Sequence, residues 1–175
     1  MGSEMCIRDS SMPWGDEGDY SISPDSKTVY FSARLAGKTE PWSTNFDVYS
    51  VPVSGGAITN LTESNKAWDA SPRMSPDGKT LAYKVMKRPG FEADRFWIQL
   101  RDASGKVTTV AGDWDRSVDD MKWSADGKSL YVVAGNVGNT LPVSYTHLRA
   151  HETVLDLVCR LLLEQKPHIS HRPNT

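Results

Sequence analysis

Three nine-residue segments of this chain are near-copies of one another. Residues 23–31 read SPDSKTVYF, residues 75–83 read SPDGKTLAY and residues 124–132 read SADGKSLYV. They start 52 and 49 residues apart. Units of that length, repeated in tandem, bury their apolar faces against their neighbours. Within each copy, Pro24-Asp25, Pro76-Asp77 and Asp126-Gly127 are turn chemistry. Pro presets φ, Asp closes the turn through its side chain, and Gly accepts a positive φ. The β-formers that follow, such as Thr28-Val29-Tyr30-Phe31, enter a strand. Each copy therefore predicts a hairpin, with first strands over 20–23, 72–75 and 121–124.

Two further strands follow in each complete unit. Residues 46–53 (FDVYSVPV) lead through Ser54-Gly55-Gly56 into 57–61, and residues 96–101 (FWIQLR) lead through Ala103-Ser104-Gly105 into 106–110. Four antiparallel strands per unit of about 50 residues make a β-propeller blade. The pairs Trp68-Asp69 and Trp114-Asp115, 46 residues apart, read as a second period marker. The expected fold is all-β: a β-propeller fragment of about two and a half four-stranded antiparallel blades, over 19–66, 69–112 and 117–135. No stretch of the middle holds a helical period, and an immunoglobulin-like sandwich leaves the repeated turn unexplained.

Charge and residue placement narrow the chemistry. The chain has 20 Lys and Arg against 22 Asp and Glu, a net charge of −2, so nothing electrostatic favours nucleic acid or an anionic membrane. No apolar run reaches the roughly 18 residues that cross a bilayer. The two cysteines, Cys6 and Cys159, make no disulfide framework. The cysteines lie near the two ends and the four histidines, His147, His151, His168 and His171, all lie after residue 146, so residues 11–142 contain neither residue type. Ser-His, Cys-His and His-ligated metal chemistry are absent from that stretch.

The two ends are related in an unusual way. Residues 1–9 (MGSEMCIRD) and 143–151 (VSYTHLRAH) can be encoded by opposite strands of one DNA segment: Asp9 as GAC reverses to Val143, Met5 as ATG to His147, and all nine positions fit. Both resemble a translated sequencing adapter. Residues 1–10 and 143–175 are therefore expected to be adapter-derived, including a spurious short helix near VLDLVCRLLLE, and residues 11–142 to be an internal fragment of a longer protein.

Three places sharpen the repeat into a resemblance: WSTNFD (42–47), AWD (67–69) and, most specifically, MKRPGFEADR (86–95). Together they resemble the N-terminal β-propeller of bacterial S9 (prolyl oligopeptidase) serine peptidases of the dipeptidyl-peptidase 5 and acylaminoacyl-peptidase type. The resemblance covers about residues 14–140. It implies a parent with an α/β-hydrolase domain carrying a Gly-x-Ser-x-Gly elbow, acting on short peptides in the periplasm or cytoplasm of a bacterium, the periplasm being favoured. No Gly-x-Ser-x-Gly occurs in this chain, so no catalytic residue is assigned. The alternative is a TolB-like or surface propeller that binds protein or carbohydrate, with no enzyme attached.

The candidate substrate contacts are Glu92, Asp94 and Arg95, in the loop between the second and third strands of the second blade. A carboxylate suits a peptide's ammonium, and Arg a carboxylate. Asp113, Asp115, Asp119 and Asp120 form an acidic cluster, but the spacing is not that of an EF-hand and Asp is ordinary turn chemistry at a blade junction. No metal and no cofactor is expected. Trp68 and Trp114 are expected to pack between neighbouring sheets. The glycosylation sequon Asn60-Leu61-Thr62 sits at a strand end and is discounted.

Overall fold

A computed structural model of the chain describes residues 17–35, 43–110, 112, 114–136 and 139–145. Both cysteines, all four histidines and the apolar stretch near Leu155–Leu163 lie outside the described residues. Among the described residues, a 3-10 turn at Glu17–Asp19 leads into eleven strands. The first sheet holds β1 (Tyr20–Ile22), β2 (Thr28–Ala33), β3 (Asp47–Pro52) and β4 (Thr59–Asn60). The second holds β5 (Asp69–Met74), β6 (Thr80–Val85), β7 (Trp97–Asp102) and β8 (Val107–Val110). The third holds β9 (Val118–Trp123), β10 (Leu130–Asn136) and β11 (Asn139–Tyr145). Every pairing is antiparallel between chain neighbours. The blades are thus consecutive meanders. The third has one strand more than expected, and β11 runs past residue 142 to Tyr145.

The repeated turn is one machine built three times. Ser23, Ser75 and Ser124 each donate a hydroxyl hydrogen bond of 2.6 Å to the carboxylate two residues on, Asp25, Asp77 and Asp126. The same serine oxygens accept from the backbone of Thr28, Thr80 and Ser129 at 2.9–3.0 Å, which closes the hairpin. Each Asp also accepts from the backbone N–H of the following Lys at 3.0–3.1 Å. Gly78 and Gly127 then take positive φ of 70° and 68°. In the first blade Ser26 stands in that position, at φ 58°. A side chain there strains the backbone, and glycine does not. Ser26→Gly is expected to stabilise the chain by about 0.5–1 kcal/mol, and Gly78→Ala to destabilise it by about 1 kcal/mol, in urea melts. A Cβ on Gly78 would sit 3.7 Å from Pro24, an ordinary contact, so that loss is conformational rather than steric.

Burial follows the period-two faces. Leu81, Tyr83 and Val85 of β6 turn toward the first blade and meet Val48, with Tyr30 and Leu61 packed alongside. Leu130 and Val132 of β10 turn toward the second blade and meet Ala82, Ile98 and Leu100. Val29 and Phe31, the corresponding residues of β2, are only half-buried on the first blade's outer face. The first strands β1, β5 and β9 pack side by side across the blades. Arg73 of β5 ties them together. It donates to the Gly18 carbonyl at 2.8 Å and pairs with Asp120 of β9 at 3.7 Å, while its own carbonyl accepts from the Trp123 indole at 2.9 Å.

Two sequence expectations need correction. β5 and β9 start three residues earlier than expected, at Asp69 and Val118. A register shift between Ala70 and Arg73, with Ser71 at φ 52°, breaks the alternation that would have revealed β5. The tryptophan period marker also fails. Asp69 N–H donates to the Phe46 carbonyl at 2.8 Å, and Val118 N–H donates to the Phe96 carbonyl at 3.1 Å. These matching junction bonds align Asp69 with Val118, so Trp68 corresponds to Ser117 and not to Trp114.

Candidate functional site

Antiparallel meanders send alternate connections to opposite ends. The Ser-x-Asp turns occupy one end, and the loops β2–β3 and β6–β7 occupy the other. This second end is the candidate site, because it carries all three candidate contacts. The two loops touch there: Gly90 N–H donates to Thr44 Oγ1 at 3.0 Å.

The β6–β7 loop is organised around Asp94. Its Oδ2 accepts from the backbone of Lys87 at 3.0 Å and Arg88 at 2.9 Å. Its Oδ1 takes a fork from the Arg88 guanidinium at 3.2 and 3.0 Å. Gly90, at φ 74°, lets the chain turn inside this clasp, and Arg88 lies over the Phe91 ring at 4.2 Å. Burial pushes the Asp94 carboxyl up, but the bonds from Arg88 and the two backbone N–H groups outweigh it and hold the group below the ordinary carboxylate range. A depressed folded-state value means the clasp contributes its stability above the ordinary range and loses it as pH falls through the lower folded value. Protection of the Lys87 and Arg88 amides, measured as a ratio to intrinsic exchange at the same pH, is therefore expected to fall on acidification below about pH 4. In Asp94→Asn that fall should vanish.

The three candidate residues thus differ in situation. Asp94 is engaged inside its own loop. Arg95 stacks over Trp97 at 3.8 Å and donates to the Trp114 carbonyl, which fastens the loop to the link between the second and third blades. Lys87 also lies over the Trp97 ring, at 3.2 Å. Glu92 is exposed at the loop's outer bend. Of the acidic cluster, Asp113 lies outside the described residues, Asp115 pairs with Arg116 at 3.1 Å, and Asp120 faces Arg73. Trp68 and Trp114 do pack between sheets. Trp68 stacks on Phe46 of the first blade and meets Phe96 of the second edge-on, and Trp114 packs beside Val118 and Ile98.

Sequence reasoning missed the polar groups beneath this rim. Asp47 and Asp69 are both buried at the junction of the first two blades. Burial pushes Asp69 up to about 7, against a hydrogen bond of 2.8 Å from Asn65, and the Asp47 charge adds to the rise. Thr62, the last residue of the discounted sequon, is buried between them, its hydroxyl accepting from Val48 N–H at 2.9 Å. The available signal was the recurrence of Asn and Asp at strand ends, where turn chemistry hides it.

No protein-family model matches the chain. Among curated proteins it is similar to dipeptidyl-peptidase 5 of Porphyromonas gingivalis, 36% identical over 124 residues, covering 70% of this chain and 18% of the relative. It is also similar to dipeptidyl-peptidase 5 of Aspergillus fumigatus, 34% identical over 139 residues, covering 73% of this chain and 19% of the relative. The chain spans under a fifth of the length of both. Among solved structures, TolB from Acinetobacter baumannii matches with a TM-score of 0.56 at 23% identity, over 73% of this chain and 29% of TolB. The tricorn protease matches with a TM-score of 0.53 at 15% identity, over 72% of this chain and 13% of tricorn. At those identities the structural likeness speaks for the propeller fold alone.

Proposed function

We propose a role for this chain on the premise that it is an N-terminal propeller of the S9 peptidase family: it is the non-catalytic portion that admits short peptides to a hydrolase domain elsewhere in the parent protein. The sequence kinship with dipeptidyl-peptidase 5 proteins supports an enzyme parent over a free-standing binding propeller. The observation that carries the gating role is the rim loop 86–96. Its clasp holds the backbone in one shape while leaving Glu92 exposed at the rim. In this reading Glu92 accepts the ammonium of a substrate's free amino end. Asp94 and Arg95 are positioning residues: Asp94 holds the loop's own shape, and Arg95 fixes the loop to Trp97 of its blade and to the link with the next.

The test uses the full-length parent enzyme and a dipeptidyl reporter with a free or an acetylated amino end. A charge-assisted hydrogen bond contributes about 1.5–3 kcal/mol, so Glu92→Gln should raise KM for the free-amine reporter roughly tenfold or more. The acetylated reporter should be unaffected. Equal effects on both reporters, or none, would remove Glu92 from the role. A serine-hydrolase probe that failed to label the full-length parent would remove the peptidase reading itself.

A further inference from the structure

Beneath the rim, the junction of the first two blades gathers oxygen atoms that lack hydrogen-bond donors. Asp69, at the start of β5, is 0% exposed, and its Oδ2 has no partner among the described residues. Asn45, just before β3, turns its Nδ2 to Asp47 at 3.3 Å, which fixes the amide orientation and leaves Oδ1 buried and unpartnered. Among the described residues, Asp47, 6% exposed, is held by long contacts: 3.3 Å from Asn45, 3.3 Å from the Tyr49 hydroxyl and 3.4 Å from the Thr62 hydroxyl. Ordinary O–H···O bonds lie near 2.7–2.8 Å, so this carboxylate sits loosely among its donors. The Thr62 hydroxyl lies beside both Asp47 and Asp69 and has one proton for the two.

We infer that this junction is a binding site for a hard divalent cation of the calcium class. Two buried carboxylates, a free amide oxygen and a hydroxyl form the all-oxygen donor set that such an ion takes, with waters completing the shell. A cation there answers three features together: the orphaned Asp69 Oδ2, the orphaned Asn45 Oδ1 and the loosely bonded Asp47. It also bridges the blades, since Asn45 and Asp47 belong to the first and Asp69 to the second. The ion is then a structural staple under the rim. This inference stands apart from the peptide-gating role and does not depend on it.

The test uses the intact chain, stripped with a chelator, and calcium chloride as the probe. Thermal melts should shift upward with added calcium and saturate. Terbium, a calcium surrogate, should emit on excitation of the protein's aromatic rings, because Tyr49 lies against the proposed ligand Asp47. Calcium should displace that emission. Asp69→Asn should abolish both responses, and Asn45→Ala, which removes a neutral ligand, should weaken them at least tenfold in calcium affinity. Asp115→Asn, a change at an exposed carboxylate, should leave them intact. If wild-type protein showed neither response, or if Asp69→Asn and Asn45→Ala both responded like wild type, the site would not be a cation site.

Discussion

Leu81→Asp is expected to unfold this chain or drive it into aggregates, while Lys79→Glu, two residues away, leaves the melt within about 0.5 kcal/mol of wild type. Leu81 is 3% exposed and projects from β6 into the apolar contact with Val48 of the first blade. An aspartate there removes the apolar contact and places an unpaired charge in the same space. The lost side chain alone is worth about 2–5 kcal/mol, and the unpaired charge adds to it. Single-domain stability is about 5–15 kcal/mol, so the sum consumes most of it. Lys79 follows Gly78 at the exposed exit of the turn, where its side chain meets water. What the turn needs from this residue is its backbone N–H, which donates to Asp77 at 3.1 Å, and Glu supplies the same group. Circular dichroism melts and light scattering on both variants give the comparison. Equal destabilisation would mean that the blade faces are assigned wrongly.

The contrast between these neighbours was readable in the sequence because the hairpin is a local object. Ser75, Asp77, Gly78 and Lys79 settle its geometry within five residues, and the period-two alternation of Leu81 and Tyr83 follows directly. The junctions were less legible because their partners are distant. Asp69 reads as turn chemistry beside Trp68, yet its backbone bonds to Phe46, 23 residues earlier, and its side chain is buried. The positive φ of Ser71 breaks the alternation that marks a strand, so the strand pattern in the sequence starts only at Pro72. Trp114 matched Trp68 by letter and spacing, but the backbone bond of Val118 to Phe96 shows that the two tryptophans are not equivalent. At the rim, the sequence places Glu92, Asp94 and Arg95 in the loop between the second and third strands of the blade, and they lie there, between β6 and β7. It could not separate an exposed carboxylate from a clasped one, because the clasp depends on Arg88 reaching across the loop to Asp94.

Trp68→Ala is expected to destabilise the chain by about 3–5 kcal/mol, and Trp68→Phe by much less. The indole bridges two blades. It stacks on Phe46 with ring centroids 4.7 Å apart and an interplanar angle of 18°, and it meets Phe96 edge-on at 5.8 Å and 77°. Phe46 and Phe96 are equivalent residues, each preceding the third strand of its blade, so Trp68 fills the step between successive copies of the repeat. Its backbone is committed to the same junction: the Trp68 carbonyl accepts from Met86 N–H at 2.8 Å. Removing the ring leaves a cavity that these fixed neighbours cannot close, and the two aromatic contacts are lost as well. Phe at this position keeps a ring for both partners. A double-mutant cycle with Phe46→Ala separates the stacking from simple burial. If the stack couples the blades, the two alanine changes together should cost less than their sum by about 0.5–1.5 kcal/mol. Strict additivity in urea melts would mean that Trp68 and Phe46 stabilise their blades independently, and the aromatic step would then not be what joins one repeat to the next.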